Sequence, residues 1–175
     1  MEVKIKKLHP DAVIPQYATA GAAGFDLVAV EDRLIQPGET KTVSTGLAFE
    51  IPEGYEIQIR PRSGVSVRTP LRIPNAPGTI DHDYRGEVKV LLSNTSHPMY
   101  SPGLFLRTID GDALLDFTVA GLEFETGSYI VQKGDRIAQG IIAPVERAEF
   151  TVVGELSETK RGAGGFGHTG VKKNE

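Results

Sequence analysis

The sequence predicts an all-β protein, and three observations carry this prediction. Apolar residues alternate with small or polar residues over short stretches, as they do in half-buried strands. The 20 glycines and 11 prolines among the 175 residues interrupt these stretches at short intervals. Amphipathic helical patterns are almost absent. Many short strands joined by Gly/Pro turns favour a sandwich, a jelly roll or a barrel.

The first clear strands lie between residues 43 and 60. Apolar residues alternate with mostly small or polar ones from Val43 to Ile51, Pro52-Glu53-Gly54 turns the chain, and the alternation resumes from Tyr55 to Arg60. This pattern predicts two antiparallel strands.

Later segments predict three more strands and one or two short helices. The strands are expected at Val88–Leu92, at Tyr129–Val131, and in the apolar stretch Ile137–Val145, which Pro144 interrupts. The helical segments are GVSVR after Ser63 and GDALLDF at 111–117.

Length and composition predict a single domain, 1–175, without a second unit. The formal net charge of −4 and the absence of a long basic run argue against a nucleic-acid partner. The chain has no cysteine, which excludes disulfides and cysteine-ligated metals. Neither an apolar signal region nor an apolar run of about 18 residues occurs, so we expect no membrane partner and a cytoplasmic location.

Residues 95–128 are less regularly patterned than the rest, and we interpret them as an insertion that forms an extra lobe or a hairpin. Asp110 and Asp112 resemble the start of a calcium loop, but the later glycine and glutamate positions do not fit. His9, His82 and His97 lie in polar or turn settings and are expected at the surface.

The C-terminal segment RGAGGFGHTG, residues 161–170, has the chemistry of a phosphate-binding loop. It departs from the GxxxxGK[ST] pattern because His168 replaces the lysine, and too few residues follow for a packed helix. Its glycines let backbone N–H groups turn toward an anion, Arg161 and Thr169 can donate to phosphate, and Phe166 is its aromatic residue. The alternative is a disordered Gly-rich tail.

Four other segments place glycine beside functional groups at turns: AGFDL (23–27), RPRSG (60–64), APGTIDHDYRG (76–86) and GDRIAQ (134–139). Ser63 could cap a helix whose first amides, with Arg62, would bind phosphate. Asp81 and Asp83 are both candidate bases for activating water, and their spacing does not rank them. Each segment could also be an ordinary turn that ends a strand.

Together the five segments resemble the five motifs of the trimeric deoxyuridine triphosphatases (dUTPases), in the family's order, over residues 23–170 apart from the insertion. The resemblance implies a distorted jelly-roll or β-clip subunit of a homotrimer, with one short helix and a flexible Gly-rich C-terminal arm, 159–175. It also implies active sites between subunits, with Arg136 as an inter-subunit salt-bridge partner.

The resemblance implies a role for each nucleoside-binding residue. Asp81 would activate the attacking water, and Tyr84 would pack against the deoxyribose so that no 2′-hydroxyl fits. Uracil would be recognised by a hairpin and its neighbours: Asn75, Gly78, Thr79, Ile80 and Lys89.

The triphosphate would be bound by residues from the other motifs. Arg62, Ser63 and Gly64 match the second motif, while Gln139 would lie near the α-phosphate and a metal-bound water. Asp26 would help to hold a magnesium ion (Mg²⁺) through water. In the arm, Arg161 would reach the γ-phosphate and Phe166 would stack on uracil, while three residues close over the triphosphate: Gly167, His168 and Thr169. His168 replaces the commoner serine.

The implied function is a dUTP pyrophosphatase that hydrolyses dUTP to dUMP and pyrophosphate by Mg²⁺-dependent water attack on the α-phosphorus. This reaction keeps uracil out of DNA and supplies dUMP for thymidylate synthesis. Two alternatives remain: a dCTP deaminase, which shares the fold, and a dUTPase scaffold with a regulatory protein partner bound through 95–128. The insertion favours a phage origin, in which case the host cytoplasm would be the location.

Overall fold

The computed structural model describes residues 1–97, 106–114, 124–166 and 168. These residues form short strands and one short helix, which confirms the all-β prediction. The elements are β1 Lys4–Lys7, β2 Phe25–Val28, β3 Arg33–Ile35, β4 Thr40–Ser44, β5 Leu47–Glu50, β6 Tyr55–Arg60, α1 Ser63–Arg68, β7 Leu71–Arg72, β8 Gly78–Ile80, β9 Lys89–Asn94, β10 Leu106–Thr108, β11 Ala113–Leu114, β12 Tyr129–Val131 and β13 Arg136–Pro144.

The strands form four small sheets, with the orders β1-β5, β11-β10-β12-β3, β2-β13-β6-β8 and β4-β9-β7. Strand β13 is the longest and pairs with β2 on one side and with β6 on the other. This sheet carries residues from four of the five motifs, since Asp26 lies on β2, Gln139 on β13, and Arg60 and Gly78 on β6 and β8.

Alternation along the strands builds the core. On β6, Ile57 and Ile59 are buried, while the alternating residues Glu56, Gln58 and Arg60 are not. The same period buries Val90 and Leu92 on β9. Burying one such aliphatic side chain contributes about 1.5–3 kcal/mol, so the pattern both identifies the strand and stabilises it.

The predicted strand from Val43 to Ile51 is broken in the structure. β4 ends at Ser44 and β5 begins at Leu47, in different sheets, with Gly46 between them at φ +66°. The prediction that β5 and β6 form an antiparallel pair is therefore wrong, because β5 pairs with β1 and β6 pairs with β13 and β8. Alternation reveals which face is buried but not which strand is the partner.

Of the two predicted helical segments, one is confirmed as α1. In the other, Ala113 and Leu114 form strand β11, which pairs with β10, and 115–117 lie outside the described residues. The helical prediction for residues 113 and 114 is wrong, because pairing within the hairpin supplies their backbone hydrogen bonds instead.

The described part of 95–128 includes the hairpin of β10 and β11. β10 also runs parallel to β12, and Leu106 and Ile109 are buried at 1% and 4% exposure. The hairpin therefore extends a sheet of the main body. Asp110 pairs with Arg68 at 3.3 Å, and no group of three His, Cys, Asp or Glu suited to a metal occurs within the described ranges.

Two further sequence predictions concern the surface. His97 is exposed as predicted, while His9 and His82 are half-buried. Among the residues that the structure covers, no helix has the length and apolar character needed to cross a membrane.

Candidate active site

Asp26 and two arginines form an ion-pair cluster that joins three of the motif segments. The Asp26 side chain is only 19% exposed, and its oxygens accept from Arg62 Nε at 3.0 Å and from Arg136 Nη1 at 3.1 Å. Arg62 Nη1 also donates to the carbonyl of Arg136 at 3.2 Å. We call Asp26, Arg62 and Arg136 the arginine cluster. Its hydrogen bonds hold the Arg62 guanidinium beside strands β2 and β13.

Gln139 lies beside this cluster because of strand register. It is directly opposite Asp26 on β2 and opposite Arg60 on β6. Side chains directly opposite each other on adjacent strands are near neighbours on one face. The fold therefore brings together the carboxylate and the amide that the sequence assigned to metal and phosphate.

Ser63 and Gly64 begin α1, immediately after Arg62. The predicted cap is wrong, because Arg62 occupies the N-cap position in extended conformation and no side chain caps the helix. Ser63 is instead the first helical residue, so its hydroxyl is not used as the cap. The first N–H groups of a helix have no partner within that helix, so the amides of this turn keep their capacity to bind an anion.

Asp135, in the fourth motif next to Arg136, stabilises a turn. Asp135 Oδ2 accepts from the Gln132 N–H at 2.7 Å. Burial raises the pKa of Asp135, and the Gln132 hydrogen bond opposes that shift. Asp135 is therefore a structural residue beside Arg136.

A cavity of about 500 Å³ gathers most of the predicted nucleoside-binding residues at the end of β8. We call it the Asp81 cavity; it is lined by Thr79, Ile80, Asp81, Tyr84, Glu87 and Lys89. Five of these six residues were expected from the sequence.

The cavities distinguish the two aspartates, which their spacing does not rank and of which the family resemblance favours Asp81. Asp81 lines the Asp81 cavity and also a second cavity of about 340 Å³, whereas Asp83 lines only the second one. Only Asp81 therefore shares a cavity with Tyr84 and Lys89.

Asn75 and Gly78 also lie together. Gly78 is buried on β8 opposite Ile59, and a Cβ at residue 78 would lie 3.3 Å from Asn75 Nδ2. The peptide bond between Ala76 and Pro77 is cis. The absence of a side chain at 78 lets the Asn75 amide approach the backbone of β8. The predicted uracil hairpin is wrong, because β8 is an edge strand that pairs with β6 and the next strand, β9, belongs to another sheet.

Sequence reasoning missed Glu87. One of its carboxylate oxygens accepts from the Gly46 N–H at 2.9 Å, and the other lies 3.3 Å from Lys89 Nζ. Its carbonyl accepts from the Tyr84 hydroxyl at 3.1 Å. The signal available was an acid two residues before Lys89, but the contact with Gly46 joins residues 41 apart in the chain, and no local pattern reveals it.

The described part of the C-terminal arm does not line the Asp81 cavity. Arg161 Nε donates to the carbonyl of Gly164 at 2.8 Å, and Phe166 is fully exposed with φ +43°. The His168 amide donates to the carbonyl of Gly165 at 3.0 Å. Gly167 and Thr169 lie outside the described residues.

An apolar groove of about 410 Å³ lies elsewhere, beside strand β1. Its lining includes Val3, Ile5, Tyr17 and Phe25 but none of the predicted site residues. The arginine cluster and the Asp81 cavity, which carry charged and polar groups, are therefore better candidates for the active site than this groove.

The arginine cluster and the Asp81 cavity lie far apart within one chain. Asp26, Gln139 and Arg60 share one level of the sheet, whereas Asp81 follows Ile80, which is opposite Ile57 near the start of β6. At about 3.3 Å per residue and 4.8 Å per strand, Asp26 and Asp81 are separated by roughly 13 Å along β6 and 14 Å across the sheet, or roughly 20 Å in all.

Comparison with known proteins agrees with this arrangement of motifs. The dUTPase family model matches residues 11–100 and 119–170. The chain belongs to the dUTPase family. It is 49% identical to the deoxyuridine 5′-triphosphate nucleotidohydrolase of Nautilia profundicola, over 97% of this chain and 99% of that protein. It is 42% identical to the corresponding Helicobacter pylori (strain 26695) protein, over 99% of each chain.

Solved dUTPase structures have the same fold. The dUTPase of Staphylococcus bacteriophage 80alpha with dUPNHPP superposes with a TM-score of 0.89 and 34% identity, over 97% of this chain and 99% of that one. The phage phi11 enzyme of S. aureus, in which a species-specific insert was visualised, gives 0.81 at 28% identity, over 91% of this chain and all of that one.

The family match is interrupted at residues 101–118, inside the predicted insertion. The bacterial relatives nevertheless align over nearly their whole length and nearly all of this chain. An extra segment here is therefore compatible with a bacterial enzyme as well as a phage one, and it does not identify the origin.

Proposed function

We propose that this chain hydrolyses dUTP to dUMP and pyrophosphate. The observation that carries the proposal is the Asp81 cavity, in which a carboxylate, a tyrosine and a lysine lie together on a single short segment. The relatives named deoxyuridine 5′-triphosphate nucleotidohydrolase, which match over nearly the full chain, support the same activity. In a cell the reaction keeps uracil out of DNA and supplies dUMP for thymidylate synthesis, and we place it in the cytoplasm.

The nucleoside would lie in the Asp81 cavity. The backbone of edge strand β8 at Gly78, Thr79 and Ile80, with Asn75 and Lys89, offers a fixed row of donors and acceptors for uracil. A site built around such hydrogen bonds rejects a mismatched base because its buried polar groups would then lack partners. Tyr84 forms the wall against the sugar and leaves no space for a 2′-hydroxyl.

The triphosphate would be bound by Arg62, Ser63, Gly64 and Gln139. Arg62 is already oriented by Asp26, so less side-chain freedom is lost when it binds a phosphate oxygen. The arm would add Arg161 on the γ-phosphate and Phe166 on uracil, with Gly167, His168 and Thr169 around the phosphates.

Asp26 of the arginine cluster and Gln139 beside it fit a magnesium ion held mainly by substrate and water. Asp26 and Gln139 present oxygen atoms at directly opposite positions on adjacent strands. Mg²⁺ keeps several waters and is commonly bound by one or two protein groups plus phosphates. When bound, it would neutralise charge on the phosphate oxygens. Within the chain, Asp26 would contribute through water while continuing to orient Arg62.

The separation of about 20 Å between Asp26 and Asp81 supports a site shared between subunits. The Arg62 guanidinium is hydrogen-bonded to Asp26, so it is almost as far from Asp81. A general base and an arginine that act on the same phosphate must both lie within a few ångströms of it. A homotrimer in which one subunit supplies the Asp81 cavity and another the arginine cluster would satisfy this requirement.

Exposed apolar side chains also support assembly. Phe150, Val152 and Leu156 precede the arm and are 96%, 100% and 87% exposed in the single chain. Large apolar side chains exposed this close together in the chain are typical of a region covered on association. Arg136 pairs with Asp26 in its own chain, and its side chain is 56% exposed, so it can also meet a neighbouring subunit.

The reaction requires one proton transfer and one displacement. Asp81 accepts a proton from water, whose oxygen bonds to the α-phosphorus. The bond from that phosphorus to the oxygen bridging the β-phosphate breaks, and pyrophosphate leaves with the electron pair. Arg62 and the first amides of α1 would stabilise negative charge on the phosphates.

Pyrophosphate release from dUTP, dTTP, dCTP and UTP, measured side by side, tests the function. We expect release from dUTP alone. Conversion of dCTP to dUTP in the same assay would instead support the dCTP deaminase alternative. Equal release from all four nucleotides would contradict a dUTPase.

Replacement of Asp26 by asparagine tests the arginine cluster. Loss of the carboxylate frees Arg62 and Arg136, so we expect kcat/KM for dUTP to fall at least about tenfold, the order of one lost charge-assisted hydrogen bond. Steady-state kinetics measures the change, with Glu50→Gln as the control, since Glu50 makes an exposed ion pair with Lys4 outside the motif segments. If both variants behave like the parent chain, Asp26 has no role in substrate binding.

A regulatory protein partner remains a second candidate function. Residues 101–118 lie outside the family match, and the phage 80alpha dUTPase was described as controlling transfer of virulence genes by a G protein-like mechanism. Because Leu106 and Ile109 are buried, deletion of the segment would remove core. A sharper test replaces exposed Arg107 and Asp112 by alanine in a pull-down; partner proteins identical to those of the parent chain would argue against binding through this hairpin.

A further inference from the structure

The ring of Tyr84 lies across Gly86. A Cβ built on Gly86 would lie 2.5 Å from Tyr84 Cζ and 2.9 Å from its Cε2, with the hydroxyl oxygen closer still. Real Cβ atoms do not approach other atoms so closely, so residue 86 has no room for a side chain while Tyr84 keeps this position. Tyr84 itself is 44% exposed and forms part of the wall of the Asp81 cavity.

The backbone does not explain why residue 86 is glycine. Seven glycines of the described chain have positive φ, and Gly86 is not among them. Alanine could adopt the backbone conformation of residue 86. The missing side chain therefore matters because it leaves room for the Tyr84 ring.

Two hydrogen bonds hold Tyr84 over Gly86. Its amide donates to the carbonyl of Asp81 at 3.1 Å, and its hydroxyl donates to the carbonyl of Glu87 at 3.1 Å. Glu87 is itself fixed by the Gly46 N–H and by Lys89. The backbone of Tyr84 and the hydroxyl end of its ring are thereby both held, and Gly86 lies between Tyr84 and Glu87 in the chain.

We propose that Gly86 is a positioning residue that sets sugar selectivity through Tyr84. The inference rests on the proposed function. The absence of a side chain at residue 86 lets the ring lie flat enough to close the cavity wall where a 2′-hydroxyl would enter. A methyl group at residue 86 would turn the ring outward, break the hydroxyl bond to Glu87 and open that wall.

A double-mutant cycle tests this inference with Gly86→Ala, Tyr84→Ala and the combined variant. We expect Gly86→Ala to raise KM for dUTP more than it lowers kcat, and to reduce the dUTP-over-UTP ratio of kcat/KM at least about tenfold, the scale of lost steric discrimination. In the Tyr84→Ala background the same change should have no further effect, because no ring is left to displace.

Gly21→Ala is the matched control, since a Cβ there meets nothing within 4 Å and its φ is not positive. It should retain the selectivity of the parent chain. An unchanged dUTP-over-UTP ratio in Gly86→Ala, or an equal loss in the Tyr84→Ala background, would overturn the inference.

Two further outcomes also decide the matter. If Gly86→Ala does not fold, recovery of the fold in the combined variant supports the steric conflict, and its failure to recover contradicts it. If the parent chain shows no preference for dUTP, the proposed function fails; if the parent chain prefers dUTP and Gly86→Ala keeps the full preference, only this inference fails.

Discussion

Replacement of Asp81 by asparagine is expected to lower kcat for dUTP by about 10²–10⁴-fold, the range that a positioned general base supplies. Asparagine keeps the size of the side chain but cannot accept the proton of the attacking water. Binding of a non-hydrolysable dUTP analogue should be retained, because Tyr84, Lys89 and strand β8 still form the cavity. Pyrophosphate release and calorimetric titration measure the two quantities separately.

Asp83→Asn is the matched control for this prediction. Asp83 has the same chemistry and lies two residues away, but it lines only the second cavity. We expect its kcat to stay within a few-fold of the parent value. Equal losses in the two variants would show that a shared local perturbation is responsible, and full turnover by Asp81→Asn would remove Asp81 as the base.

Deletion of residues 161–175 is expected to abolish most turnover while the oligomer persists. The arm lacks contacts with the Asp81 cavity in the described residues, and Phe166 is fully exposed. Ordering ten residues costs on the order of 10 kcal/mol in backbone entropy, so the arm should close only when a triphosphate supplies charged contacts. Loss of two charge-assisted hydrogen bonds alone corresponds to at least about a hundredfold in kcat/KM.

Steady-state kinetics and sedimentation measure these two properties. Deletion of 171–175 alone is the control, since it leaves the fifth motif intact. Undiminished turnover after the longer deletion would exclude a lid, and dissociation of the oligomer would show that these residues hold the subunits together.

Local patterns predicted the strands better than their partners. The positions of β6, β9, β12 and β13 follow from apolar alternation or runs, because each short strand buries one face or both. The break at Gly46 and the pairing of β5 with β1 were missed. Both depend on contacts between residues distant in the chain, such as the Thr45 hydroxyl that donates to the Val88 carbonyl at 2.5 Å.

Within the site, too, local patterns identified the motif residues but not the contacts between distant parts of the chain. Each of the five glycine-bearing segments is short enough to be recognised locally, and so the family and the residue types needed for phosphate and base were evident. The roles of Glu87 and Gly86 were not, because one depends on an amide 41 residues away in the chain and the other on the space beneath a tyrosine ring.

By itself the sequence determined the all-β class, the family and the set of reactive side chains, since these depend on residue type and short spacing. Only the tertiary structure gave Asp81 and Asp83 different cavity surroundings, paired Arg62 with Asp26, and placed the arginine cluster and the Asp81 cavity at distant points of one sheet. The physical reason is that strand register and order convert positions far apart in the chain into distances, and no local pattern carries that information.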